Sequence, residues 1–293
     1  MPIIEIKNLV KDYGHNRGLF DISLSIEKGE VFGFVGINGA GKTTTIRHLM
    51  GFLKPQSGSV TIKGMDCWKD SAEIKKYVGY IPGEIAFPDS STGMEFLKSQ
   101  ADILGLKDMS YAESLIKKFQ LDPKANLKRM SKGMKQKTAI VAALMADPEV
   151  LIFDEPTTGL DPLMRAEFID IVNEQKKKGK TIFMSSHMFE EVESTCDKVA
   201  LIKDGKIIGI KNSNEIKHNQ EKVYKIEFKN NNDYSKFLDE KFELVNKKEN
   251  QNQVTIQIHD KDINKLTKTL KQYDIKFITE IKYTFEKYFN SLY

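Results

Sequence analysis

A lysine and a threonine stand directly behind three closely spaced glycines in the stretch GINGAGKT, residues 36–43. The spacing fits G-x-x-x-x-G-K-[ST], a loop that cradles phosphate. The chemistry it can do is electrostatic. Backbone N–H groups along Gly36, Asn38, Gly39, Ala40, Gly41, Lys42, Thr43 and Thr44 would surround a polyphosphate. A helix beginning behind the loop adds its positive end. Glycine at 36, 39 and 41 is expected to let the main chain approach the ligand without Cβ clashes. Lys42 would reach the β- and γ-phosphates as a point charge, and Thr43 would offer a hydroxyl to Mg²⁺.

Such a loop needs a metal partner on a neighbouring strand. The run VLIFDE, residues 150–155, supplies one. Asp154 follows four apolar residues, so it belongs at the carboxyl end of a buried strand, where sites in open α/β sheets form. It is expected to hold Mg²⁺, through water. Glu155 follows at once and is expected to polarise the attacking water as general base.

The elements that must position these groups are legible in the hydrophobic period. IIEIKNLVKDYG and LFDISLSIEKGE alternate as half-buried antiparallel strands, and VFGFVG is a buried parallel strand leading into the loop. A helix is predicted over 42–50 and another strand in SGSVTIKGMD. From about residue 94 to 121 apolar residues recur three and four apart, as in helices. A further helix should start at Ser131, with TAIVAALMA as its buried part. EVLIFDE and TIFMSSH are buried strands, with a helix over about 162–178 between them. KVALIKDGKIIGI is predicted to be a hairpin with Asp204 and Gly205 at its tip. A polar, Asn-containing stretch at 212–222 is expected to be a linker. Beyond it, residues 223–293 follow a βαββαβ order, which suggests a small ferredoxin-like α+β domain. The closing TFEKYFNSLY should form a helical turn.

Composition bounds the reading. With 293 residues, 40% hydrophobic and 29% charged, the chain can build one large domain and one small one. Net charge is +4, with acidic and basic residues mixed. No basic stripe with interleaved aromatics is present, so nucleic acid is not an expected partner. Two distant cysteines, Cys67 and Cys196, suit a reducing, intracellular setting, and Cys196 reads as a small buried hydrophobe. The first ten residues alternate like a strand rather than a signal peptide. No apolar run approaches the length of a membrane span.

The order of motifs then becomes specific. MSKGMKQK precedes VLIFDEPTTGLD, and MSSH follows. Over about residues 3–210 the chain resembles the ATP-binding subunit of an ABC transporter. That resemblance implies an α/β P-loop fold of the ABC type over 1–211, with an antiparallel β subdomain and a helical subdomain at about 83–146. It implies ATP and Mg²⁺ as cofactors and ATP hydrolysis as the activity. Ser131 and Gly133 occupy the signature motif, which binds the γ-phosphate of ATP held by a second ATP-binding subunit. Asp161 matches the loop that links the two sites, His187 the histidine that contacts the γ-phosphate, and Tyr13 the aromatic that stacks on adenine. The chain departs from the family in two places. Gly83 stands where a metal-sensing glutamine is usual, and either Glu84 beside it takes that place or the coupling uses water. In the signature, Lys132 replaces a glycine and Met134 a glutamine.

The resemblance further implies a separate transmembrane permease, gripped by the helical stretch and FPDSSTGMEFL, and a place on the inner, cytoplasmic face of the cell membrane. A detached ATPase with a short C-terminal domain is similar to those of ABC-2-type bacterial exporters. The other reading is a soluble ABC-type ATPase acting on a ribosome or nucleic acid. A single P-loop and the lack of sustained heptads speak against it.

Overall fold

A computed structural model of the chain describes residues 2–88, 91–217, 220–281 and 285–290. The chain divides into two compact units, Met1–Ser213 and Asn214–Tyr293.

The first unit opens with β1 (Ile4–Asp12), β2 (Gly18–Ile26) and β3 (Val31–Val35), then α1 (Lys42–Leu49). β4 (Ser57–Ile62), β5 (Met65–Asp66), α2 (Ser71–Ile74) and β6 (Val78–Ile81) follow. Three helices come next: α3 (Gly93–Leu104), α4 (Ser110–Lys118) and α5 (Lys132–Leu144). The unit continues through β7 (Val150–Asp154), α6 (Pro162–Lys177), β8 (Thr181–Ser186) and α7 (Phe189–Thr195). It ends on the hairpin β9 (Lys198–Lys203) and β10 (Lys206–Asn212).

Two sheets share the core of this unit. One is antiparallel, in the order β2-β1-β4-β5. The other runs β10-β9-β3-β8-β7-β6, parallel except for β10 at its edge. Every residue of β3, β7 and β8 is buried, as continuous apolar runs demand when both faces are covered. Ile6, Leu24 and Val60 of the first sheet join Phe34, Ile152 and Phe183 of the second in one cluster. The β9–β10 turn is the expected Asp204-Gly205 pair, with φ of 48° and 72°. Cys67 and Cys196 are both buried and free.

The helical subdomain follows local rules. Thr92 caps α3 by accepting from Glu95 N–H at 3.2 Å, and Glu95 reaches back to Ser91 N–H. Gly105, at φ 68°, closes the helix. Ser131 caps α5 as expected, accepting from Met134 N–H at 3.2 Å. The short elements β6, α2 and α7 were not among the elements expected from the period.

The stretch 212–222, expected as a linker, carries the last residue of β10, helix α8 (Ser213–Lys217) and the start of β11 (Glu221–Phe228). The second unit continues with α9 (Asn231–Leu238), β12 (Glu243–Lys248), β13 (Gln253–His259), α10 (Ile263–Leu270), β14 (Ile275–Ile281) and α11 (Phe285–Asn290). The strand order is β12-β13-β11-β14, all antiparallel, which is the ferredoxin-like arrangement. Its own core packs Ile226, Phe228, Val254 and Ile256 against Phe237 and Leu266. Of the closing TFEKYFNSLY, residues 284 and 291–293 lie outside the described residues.

Candidate active site

Three adjacent strands build the site. The order β3-β8-β7 brings the loop after β3, the end of β7 and the turn after β8 to one edge of the sheet. Val35 pairs with Ser186, and Asp154 with Ser185, so the three carboxyl ends are level. A cleft of about 230 Å³ opens there, lined by Asn38, Gly39, Gly41, Lys42, Thr43, Thr44 and Glu155. Ala40 of the loop is buried.

The glycines are needed for reasons partly different from those expected. A Cβ on Gly36 would lie 2.4 Å from the Ile202 carbonyl of β9, so this residue makes room for protein, not ligand. Gly39 and Gly41 have φ of 83° and 115°, where side chains are strained. The Cβ position of Gly39 faces open space.

Lys42 is almost fully buried, which an ammonium tolerates only with partners. It donates to the carbonyls of Gly36 at 2.6 Å and Ile37 at 3.2 Å, and pairs with Glu155 Oε1 at 3.1 Å. The other Glu155 oxygen, Oε2, meets His187 Nδ1 in a short contact. Glu155 therefore joins the phosphate loop to the β8 turn. Its own backbone sits at φ 51°, a left-handed conformation uncommon outside glycine. Its N–H is held by Ser185, through Oγ at 3.0 Å.

Asp154 is fully buried at the end of β7. Its Oδ1 accepts from Ser185 Oγ at 2.6 Å. Burial pushes its carboxyl above the ordinary carboxylate value, with the Ser185 and Thr43 hydroxyls pulling the other way. Thr43 helps from nearby, but Oδ2 has no partner in hydrogen-bond geometry. One orphaned carboxylate oxygen near a threonine hydroxyl is a donor set that suits magnesium, which takes few protein ligands and fills the rest with phosphate and water. No cluster of three or more His, Cys, Asp or Glu that could cage a metal occurs among the described residues.

The departures at 83 and 84 can now be placed. A Cβ on Gly83 would stand 3.0 Å from Asp154 Oδ2, so position 83 abuts the Asp154 carboxylate. Glu84 is exposed and makes no hydrogen bond or ion pair among the described residues. The other expected residues lie away from the cleft lining. Ser131 spends its hydroxyl on the α5 cap, and a Cβ on Gly133 would meet the Gly159 carbonyl at 2.8 Å. Asp161 is exposed and caps α6 through Met164 N–H at 3.0 Å. Tyr13 is half-exposed in the β1–β2 turn, with Lys11 Nζ 5.6 Å from its ring centre. Ser185, Ser186 and Glu191 escaped the sequence reading. The available signal was the pair of serines ending an apolar strand, since buried hydroxyls need partners.

Comparisons with known proteins give the family. The family model described as ABC transporter matches residues 19–158. The ABC transporter ATP-binding protein NatA of Bacillus subtilis (strain 168) is 42% identical over 66% of this chain and 80% of its own length. The bacitracin transport ATP-binding protein BcrA of Bacillus licheniformis is 37% identical over 70% of this chain and 68% of its own. A solved structure of an ATP binding subunit of an ABC transporter superposes with a TM-score of 0.67 at 32% identity, covering 73% of this chain and 92% of the other. The chain belongs to the ABC transporter family, as an ATP-binding and ATP-hydrolysing subunit.

Proposed function

We propose that this chain is one of two ATPase subunits that clasp ATP between them and drive a separate membrane permease in export. The observation that carries the reading is the convergence of Lys42, Asp154, Glu155 and His187 on one phosphate loop. Lys42 already bridges the loop and Glu155, so a γ-phosphate arriving there meets a placed cation. Glu155 takes the proton of the attacking water, and His187 holds its far oxygen in place. Thr43 and Asp154 would hold magnesium. That ion, when bound, would neutralise phosphate charge and orient the β- and γ-oxygens. Tyr13 would stack on the adenine.

Ser131 and Gly133, at the positive end of α5, would complete the site of a second subunit, with Asp161 beside the contact. Both lie away from this chain's own cleft, which supports a role across an interface.

A second cavity supports the permease. A groove of about 470 Å³ is lined largely by apolar residues, among them Phe52, Tyr80, Phe87, Phe96, Ile103 and Leu104. Ile103 is 74% exposed and Phe52 49%. Such a face suits an apolar helix from a partner. Phe87 belongs to the expected gripping segment, of which Asp89 and Ser90 lie outside the described residues. No helix among the described residues is long and apolar enough to cross a membrane; in this reading the spanning segments belong to the permease, and the chain would meet it at the inner face. The names of its relatives, ABC transporter ATP-binding protein and bacitracin transport ATP-binding protein, support a role in a transporter.

The test is Glu155→Gln. ATP binding should persist while phosphate release stops; full turnover in this variant refutes the base. Capture of an integral membrane protein with the tagged chain tests the permease, and capture of ribosomes instead refutes it.

A further inference from the structure

Glu191 lies in the first turn of α7 and is only 1% exposed. A carboxylate is seldom buried without a task, because its desolvation must be offset by partners. Its Oε2 accepts from Ser186 Oγ at 2.6 Å. The same hydroxyl accepts from Met188 N–H at 2.9 Å. Ser186 and Met188 flank His187, so one hydroxyl closes the turn that carries the histidine, and Glu191 anchors that hydroxyl.

A second arm reaches the other side of the site. Thr157 is buried two residues beyond Glu155, and its hydroxyl approaches Met188 Sδ at 3.8 Å. Burial pushes the Glu191 carboxyl up to about 7; the Ser186 and Thr157 hydroxyls pull down, Glu155 pushes up and Arg165 of α6 pulls down. Glu191 Oε1 and Arg165 Nε are both buried without a hydrogen-bond partner. Glu191 thus stands between the loop after β7 and the turn after β8.

We propose that Glu191 is a positioning residue that holds the His187 turn in register with the loop carrying Glu155. It touches no reacting atom and acts through Ser186. The inference rests on the reading of Glu155 and His187 as the hydrolytic pair.

The experiment uses the full chain with magnesium and ATP, in Glu191→Ala, Glu191→Gln and Ser186→Ala variants. Misplacing a catalytic group costs on the order of ten- to a hundred-fold in rate. Glu191→Ala should lower kcat by at least about ten-fold and leave ATP affinity within about two-fold. Glu191→Gln keeps an amide oxygen for Ser186 and should recover most of that loss. In parallel, the ring resonances of the five histidines are followed in isotope-labelled protein, with His187→Gln identifying one set. Glu191→Ala and Ser186→Ala should both move the His187 signals and leave those of His48, on α1, in place. Unmoved His187 signals overturn the positioning role. So does a shift of every histidine together with weakened ATP binding, which marks general damage. If Glu191→Ala does not fold, Ser186→Ala decides by the same criterion: moved His187 signals support the positioning role and unmoved ones overturn it. Absence of turnover in the unaltered chain would count against the hydrolytic reading alone, because the His187 signals still test Glu191.

Discussion

Ser185→Ala removes one hydroxyl and disturbs two groups of the site. Ser185 Oγ donates to Asp154 Oδ1 at 2.6 Å and accepts from Glu155 N–H at 3.0 Å, in a fully buried position. A hydrogen bond to a charged group contributes about 1.5–3 kcal/mol, and the stranded partners add desolvation cost. A loss of about 2–3 kcal/mol follows, roughly 4–12 °C in the unfolding of a unit of this size. The deficit has a pH signature. The Asp154 pKa in the folded chain already lies above the ordinary value of 3.8, through burial. Between the unfolded and the folded pKa the folded state keeps a proton that the unfolded state releases, so stability falls as pH rises through that window, and above it Asp154 is ionised in both states. Removing Ser185 deletes a stabilising donor and raises the folded pKa further. The variant should lose more stability at about pH 7.5 than at about pH 4.5. Magnesium with ATP, which binds the folded state, should return part of the loss. Thermal unfolding at the two pH values, with and without magnesium and ATP, reads all of this. Equal deficits at both pH values, or none, refute the assignment of Ser185 as the donor that keeps Asp154 ionised.

Lys42→Ala should abolish ATP binding, since it removes the cation of the loop and leaves Glu155 facing phosphate; titration with a fluorescent nucleotide checks it, and unaltered affinity refutes the cradle. Ile103→Glu places a charge on an exposed groove residue and should leave folding and basal ATPase unchanged while reducing membrane-protein capture at least about five-fold. Glu84→Ala should reduce stimulation by the permease more than basal ATPase; equal losses would place Glu84 at the metal alone.

The site was legible where chemistry is local. A loop from a buried strand into a helix, with glycines at fixed offsets, announces itself in eight residues. Asp154 was legible because a carboxylate that ends an apolar run must be buried, and a buried carboxylate needs a cation or a donor. Ser185 and Glu191 were not found, because their partners are 31 and 5 residues away and their roles depend on which strands are neighbours. β6 is four residues long and takes its shape from pairing with β7. α8 was hidden by the polar texture around it, although Ser213 and Ile216 are buried.

By itself the sequence determined the order of the longer strands and helices and the phosphate loop, and it singled out Asp154 and Glu155 as candidates for the metal carboxylate and the base, because period and motif are properties of contiguous residues. Only the tertiary structure decided that β8 lies between β3 and β7, and with it the links from Lys42 to Glu155 to His187 and the serine beneath Asp154. It also decided why Gly36 must be glycine: a carbonyl on β9, far along the chain, fills the place of its side chain. Non-local hydrogen bonds and excluded volume act between residues that contiguous sequence does not bring together.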